Sequence, residues 1–261
     1  MSSRWIYGLL LCLTSALSLS ANPILGTAGS YSVLAGSAVT NTGETVLSGD
    51  LGIIPGTAIT GFPPGVVLGA THQADAAAAQ AQLDALAAYN SLKGYAATQD
   101  LTGMDLGGLT LTPGVYKFDT SAQLSGKLTL DMLGDPNSLF IFQVTSMLMT
   151  ASNSSVITST GQNCCNVFWQ VGDSATLGKD TDFMGNIIAL TSITLDTGTD
   201  IVGGRALALN GSVTLGNNRI SDVIYDPAAF AAVPEPGSLL LLGAGLVGLV
   251  WLGRKSRRRE A

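Results

Sequence analysis

The chain has 261 residues, of which 11% are charged and 46% hydrophobic. Charge this sparse beside such apolar content excludes an intrinsically disordered chain. Residues 21–236 hold 6 Lys and Arg against 17 Asp and Glu, a net of −11; that balance argues against a nucleic-acid partner, since phosphate binding needs a basic footprint.

Residues 1–20 read as a secretory signal. Arg4 supplies the positive end, Ile6 to Leu13 the apolar run, and Ser18-Leu19-Ser20 before Ala21 a small-residue cleavage site. The domain that follows is expected over 21–226. Its first part, 24–68, consists of short β segments broken by Gly and Pro, with Gly61-Phe62-Pro63-Pro64-Gly65 as a turn.

Thr71 to Lys93 reads as a helix. It is rich in Ala, a strong helix former, with Thr71 as N-cap and Gly94 as its stop. Leu83, Leu86, Tyr89 and Leu92 form the stripe expected to pack.

From Asp100 the chain returns to β. Leu139-Phe140-Ile141-Phe142, Phe168-Trp169 and Ile187-Ile188 are continuous apolar runs, as in strands buried on both faces. Four stretches begin at Gln143, Trp169, Ala189 and Ala208, each a strand, a small-residue corner and a second strand. The later three carry Thr176-Leu177, Thr194-Leu195 and Thr214-Leu215. Irregular repetition of this kind is how a β-solenoid looks in sequence. With the helix along one face, strands beneath it would be covered twice. Elsewhere Val213 and Leu215 would point in and Thr214 out, and Ile193 and Leu195 in and Thr194 out.

The far end has three parts: Val233-Pro234-Glu235-Pro236 closing a linker over 227–236, an apolar run from Leu239 to Leu252, and the basic cluster Arg254-Lys255-Ser256-Arg257-Arg258-Arg259. In this order they resemble the bacterial PEP-CTERM sorting tail, here 237–261 behind Pro234, Glu235 and Pro236. The resemblance implies processing by an exosortase-type enzyme and delivery to the cell surface or extracellular matrix. The membrane is then engaged only through the tail, whose apolar run is short for a transmembrane helix.

Chemistry finds little footing. The one histidine, His72, opens the predicted helix and has no partner at triad or metal spacing. Asp180 with Asp182 and Asp196 with Asp200 read as solvated corner residues. The Asp196-to-Asp200 corner lacks the EF-hand spacing and the nonapeptide Gly-Gly repeat of calcium sites. No enzyme activity, metal or cofactor is expected. Cys164 and Cys165 are adjacent, and in an oxidising compartment they form a vicinal disulfide, stay free or bridge two molecules.

Several segments together resemble the microbial ice-binding proteins. They are Ser32 to Gly43, Gly49 to Gly65, Asp100 to Tyr116, Gly134 to Gln143, Asn166 to Val171 and Gly204 to Ala208, with the helix between the β blocks. The resemblance implies a mainly β fold, a triangular right-handed discontinuous β-solenoid with one long α-helix alongside. It further implies a flat face that binds an ice crystal surface through small hydroxyl and apolar residues, often as Thr-Ala/Gly-X-Thr/Asn. Thr57-Ala58-Ile59-Thr60 and Thr150-Ala151-Ser152-Asn153 match that pattern. Thr197-Gly198-Thr199-Asp200 departs at its last position; Lys179, Asp180 and Asp182 flank Thr181, and Arg219 ends the last corner.

The candidate ice-binding residues are therefore Thr57, Thr60, Thr150, Asn153, Thr176, Thr181, Thr194, Thr197, Thr199 and Thr214. The second reading is a structural or adhesive matrix protein whose partner is an exopolysaccharide. Trp169 and Phe168, the aromatics such a partner would want exposed, sit in a core-like run.

Overall fold

The computed structural model describes residues 24–161 and 166–221. The segments read as a signal, a linker and a sorting tail, and both adjacent cysteines, lie outside them.

The described chain is mainly β, with parallel strands and one helix. Strands pair in a 15-stranded and a 7-stranded sheet. The larger sheet comprises two runs that share the long strands Asp182–Ala189 and Asp200–Ala208. Three stacks result, and successive circuits of the chain visit them in a constant order. Tyr31–Ala35, Ala38–Thr42 and Val46–Leu47 make one circuit; Asp50–Ile53, Ala58–Thr60 and Val66–Val67 make the next.

Both long strands bend where they pass from one run to the other. The register between them shifts at Met184/Asn186. Gly185 has φ +108, and a Cβ on Gly204 would meet the Gly185 carbonyl oxygen at 1.9 Å, so the bend requires glycine at both places. Beside it, buried Arg205 donates from Nε to the Gly29 carbonyl at 2.8 Å and from its guanidinium to Asn186 Oδ1 at 2.9 Å.

The two β blocks share one structure. Val33 and Leu34 lie in register beside Ala206 and Leu207, so the first strands of the chain stack on its last complete circuit. The far ends of the array are then residues 58–73 on one side and residues 99–124 on the other.

The helix spans Ala76–Lys93 rather than starting at Thr71. Thr71–Gln73 is a strand instead, paired with Leu51–Ile53. Asp75 takes the N-cap, accepting from the Ala78 N–H at 2.8 Å. The packing face also differs from the predicted leucine stripe. Ala78, Ala81, Ala85, Ala88, Tyr89 and Leu92 are buried, while Leu83 and Leu86 are 61% and 43% exposed. Alanine wins this face because methyl groups let the helix backbone come close to the strands, where Val115, Ile141, Phe168, Ile188 and Leu207 fill the space between.

Strands under the helix are accordingly buried on both sides. Phe140, Ile141, Phe142, Phe168, Trp169, Ile187 and Ile188 are all fully buried, as their unbroken apolar runs predict. Inside the array, aromatic rings pack on one another: Tyr116 stacks on Phe142 at 5.4 Å and Phe142 on Trp169 at 3.8 Å, while Trp169 meets Phe183 at a tilt, 5.0 Å away. Trp169 Nε1 donates to the Met184 carbonyl at 3.0 Å, which satisfies its one polar atom. The rings pack the interior and leave no aromatic platform at this place on the surface.

Candidate functional site

The seven-stranded stack carries the feature of interest. Its strands run in the order Ala122–Leu124, Leu148–Thr150, Ala175–Leu177, Ile193–Leu195, Val213–Gly216, Ala38–Thr42 and Ala58–Thr60. Each alternates with period two. Leu148, Ala175, Ile193, Val213 and Val39 form one buried inward row, and Leu177, Leu195 and Leu215 belong to the next. Between these rows the outward position is Thr176 beside Thr194, Thr194 beside Thr214, Thr214 beside Thr40, and Thr40 beside Thr60. Five threonines on five adjacent strands thus make one straight ladder.

Strand spacing sets the rungs about 4.8 Å apart, so the ladder runs for about 19 Å. Thr40, Thr60 and Thr214 are exposed, and Thr176 and Thr194 are half-buried between their neighbours. Among the described residues, the ladder hydroxyls have no protein partner and remain available to water. Beta-branching holds each side chain in few rotamers, so methyls and hydroxyls keep fixed positions.

The flanks are small. Two residues before the threonines stand Ser174, Ser192, Ser212, Ala38 and Ala58. The Ser174 and Ser192 hydroxyls accept from the Ser192 and Ser212 N–H groups at 3.3 and 3.1 Å, tying successive levels together. Those hydroxyls serve the scaffold, and the threonine row stands as the available one. Thr42 adds a further exposed hydroxyl two residues beyond Thr40.

The expected site residues divide three ways. Thr60, Thr176, Thr194 and Thr214 share the ladder. Thr57, Asn153 and Thr197 are exposed at corners, and Asn153 has φ +59. Thr150, Thr181 and Thr199 are corrected: all three are buried, at 8%, 0% and 0% exposure, and present no hydroxyl to a surface.

Hydrogen bonding explains that burial. Thr181 Oγ1 donates to the Gly178 carbonyl at 2.6 Å and lies 3.1 Å from Thr150 Oγ1, which accepts from the Gly178 N–H at 2.9 Å. Thr199 Oγ1 donates to the same carbonyl at 2.8 Å. At equivalent corners Ser154 donates to the Leu124 carbonyl at 3.0 Å, and Asn218 donates to the Asp196 carbonyl at 2.8 Å while accepting from Gly216 N–H. Buried corner carbonyls need donors, and short hydroxyl or amide side chains supply them from within the turn. The Thr-X-X-Thr corners are thus partly a polar spine that holds the edge of the stack.

Thr40 and Thr42 escape the Thr-Leu pattern because Asn41 stands beside Leu215, in the row that Leu177 and Leu195 hold on the strands beyond. Asn41 is buried and donates to the Gly43 and Gly61 carbonyls at 2.9 and 2.8 Å. The signal that finds Thr40 is Val39-Thr40 matched to Val213-Thr214.

Charges gather on the neighbouring stack. There Lys127, Ser155, Asp182, Asp200 and Arg219 occupy one register row, continued by Val46 and Val66. Burial, with the Asp182 carboxylate beside it, pushes the Asp200 carboxyl up despite the Arg219 N–H and charge. Lys179 and Asp180 pair at 3.6 Å on the corner between the two stacks. Asp196, two residues beyond Thr194, is the exposed charge that borders the ladder itself.

Other chemistry is thin. His72 Nδ1 lies 2.8 Å from Asp75, the residue that caps the helix. Among the described residues, no group of three or more His, Cys, Asp or Glu could hold a metal ion. No helix among them is long and apolar enough to cross a membrane.

Comparison with known proteins gives these features a context. The PEP-CTERM protein-sorting motif matches residues 232–258. An ice-binding protein of Nostoc sp. (strain HG1) is 57% identical over 238 residues, covering 90% of this chain and 88% of that protein. A crystal structure of an ice binding protein from an Antarctic biological consortium superposes with a TM-score of 0.72 at 48% identity, over 75% of this chain and 89% of the other. An ice-binding protein from the Antarctic ascomycete Antarctomyces psychrotrophicus gives 0.72 at 43% identity, over 76% and 96%. The ice-binding-like family profile matches residues 33–221, the span of nearly every strand described above, and the chain belongs to that family.

Proposed function

We propose that this protein binds ice through the threonine ladder and thereby slows ice growth and recrystallisation. The observation that carries the reading is the register of Thr176, Thr194, Thr214, Thr40 and Thr60 on one uncharged row. Family membership and the similarity to ice-binding proteins support it.

The mechanism is physical. Methyl groups at fixed spacing organise a layer of water, and the hydroxyls between them tie that layer to the protein. Water-mediated contacts of this kind are not inherently weak. Each contact is small, but a rigid array sums many of them with little ordering cost. Stacking the strands as successive turns of a right-handed, triangular β-solenoid would keep the row level, where an open sheet would twist. Adsorbed molecules then pin the ice front, which must curve between them to advance.

The charged row on the next stack, with its own tightly held hydration, would stay off the ice. Export to the cell surface or extracellular matrix after exosortase processing fits this role, and the sorting motif supports it. An exopolysaccharide is a further candidate partner in that setting.

Microscopy of annealed ice tests the reading. Crystals should remain small in the presence of the purified protein. Coarsening as fast as with an inert protein at equal concentration would defeat it.

A further inference from the structure

The stack does not end where the threonines end. Leu148–Thr150 pairs with Ala175–Leu177, and Ala122–Leu124 pairs with Leu148–Thr150, in unbroken parallel register. The Leu148 N–H bonds the Ser174 carbonyl at 3.1 Å, and the Ala122 N–H bonds the Met147 carbonyl at 2.9 Å. Inward rows continue as well, since Ala122 and Leu148 are buried like Ala175. Thr150 replaces leucine in the second inward row, and the outward row changes throughout: Met149 stands beside Thr176, and Gln123 stands beside Met149.

We infer that Met149 and Gln123 set the limit of the ice-contacting face, an inference that rests on the ladder being that face. The seven strands offer seven rungs, with Asp105 bridged to Gln123 beyond them, and the threonines use five. The ladder therefore extends for about 19 Å on a stack about 29 Å long. Extension is open on this side alone, because Thr60 at the other end belongs to the terminal strand Ala58–Thr60.

The chemistry of the two residues explains the limit. Methionine has three rotatable bonds and no fixed outline, so it presents neither a level methyl nor a hydroxyl. Met147, two residues earlier and also half-buried, makes this end of the face soft and apolar. Gln123 is exposed, and its flexible amide keeps donors and acceptors of its own in water. Neither residue can repeat the stiff geometry of a β-branched threonine.

The test compares the wild-type protein with Met149→Thr, Met149→Thr/Gln123→Thr and Met149→Val in the recrystallisation assay, with circular dichroism as the fold control. The double variant should act at about threefold lower concentration, with Met149→Thr between it and the wild type. Met149→Val restores a stiff outline without the hydroxyl and suits a half-buried strand position, so it should remain folded and give a smaller gain. If the threonine variants fail to fold, Met149→Val decides: a gain supports the limit and none overturns it. An active wild type with folded but unimproved variants overturns the limit alone. An inert wild type with active extended variants supports it. Inert wild type and inert variants overturn the ice reading and the limit together.

Discussion

Thr40 lies in register beside Thr214, and the two come from opposite ends of the described chain. The ladder is therefore completed only when the first strands close onto the last circuit. Two of its five rungs, Thr40 and Thr60, precede the helix, and three, Thr176, Thr194 and Thr214, follow the long second block. The site is a product of the whole array, and no single loop carries it.

Replacing a central rung should remove function and spare the fold. Thr194→Lys or Thr214→Lys puts a long charged side chain, with its own hydration, into the row. Activity in the recrystallisation assay should fall by about tenfold or more, while stability changes by about 0.5 kcal/mol or less, as for most surface substitutions. Ser155→Lys, on the charged stack, should leave activity unchanged. An equal loss from Ser155→Lys would assign the function to a different face.

The corner spine should behave in the opposite way. Thr181→Val keeps the shape but withdraws the hydroxyl from the Gly178 carbonyl and from Thr150. Leaving these buried groups unpaired should cost about 1–3 kcal/mol in denaturant unfolding. Activity per folded molecule should persist, because the side chain is fully buried.

The helix face gives a third contrast. Ala85→Leu places a larger side chain where the helix meets the strands and should destabilise the protein by about 1–3 kcal/mol. Leu83→Ala, on the exposed side, should change stability by about 0.5 kcal/mol or less. Thermal unfolding of the two variants separates an alanine-packed helix from the leucine-packed helix that the apolar stripe suggests.

Acid should loosen the contact between the helix and the start of the domain. Asp84 accepts from the Thr27 N–H and from Thr27 Oγ1, both at 2.7 Å, and these bonds hold its carboxyl below the usual value of 3.8. A lowered folded-state pKa means that the contribution is present above pH 3.8. It is lost as pH falls from there through the folded value. Asp84→Asn should flatten the acid limb of a stability-against-pH curve. An unchanged limb would assign the acid sensitivity to other carboxylates.

Much of this architecture was legible in the sequence, for physical reasons. Period-two alternation around Thr194 and Thr214 assigns inside and outside without ambiguity, and the unbroken apolar runs at Phe140 and Phe168 identify strands covered twice. The corner threonines were not legible in the same way. Thr150 and Thr181 have the composition of surface residues, and only the carbonyls they meet across a turn decide that they are buried. The helix start differs from the sequence expectation because Thr71 can cap a helix as well as pair in a strand. Pairing with Leu51 prevails and leaves Asp75 as the cap. The apolar stripe holds at Tyr89 and Leu92 and fails at Leu83 and Leu86, because hydrophobicity does not report how closely a helix must approach its neighbour.

Ice-affinity partitioning of the wild type and of Thr194→Lys/Thr214→Lys, with slow growth of a single ice body through a dilute solution, addresses the central claim most directly. The wild type should enter the ice, and the folded double variant should remain in the liquid. Exclusion of the wild type, or equal uptake of both proteins, would contradict the assignment of ice binding to the threonine row.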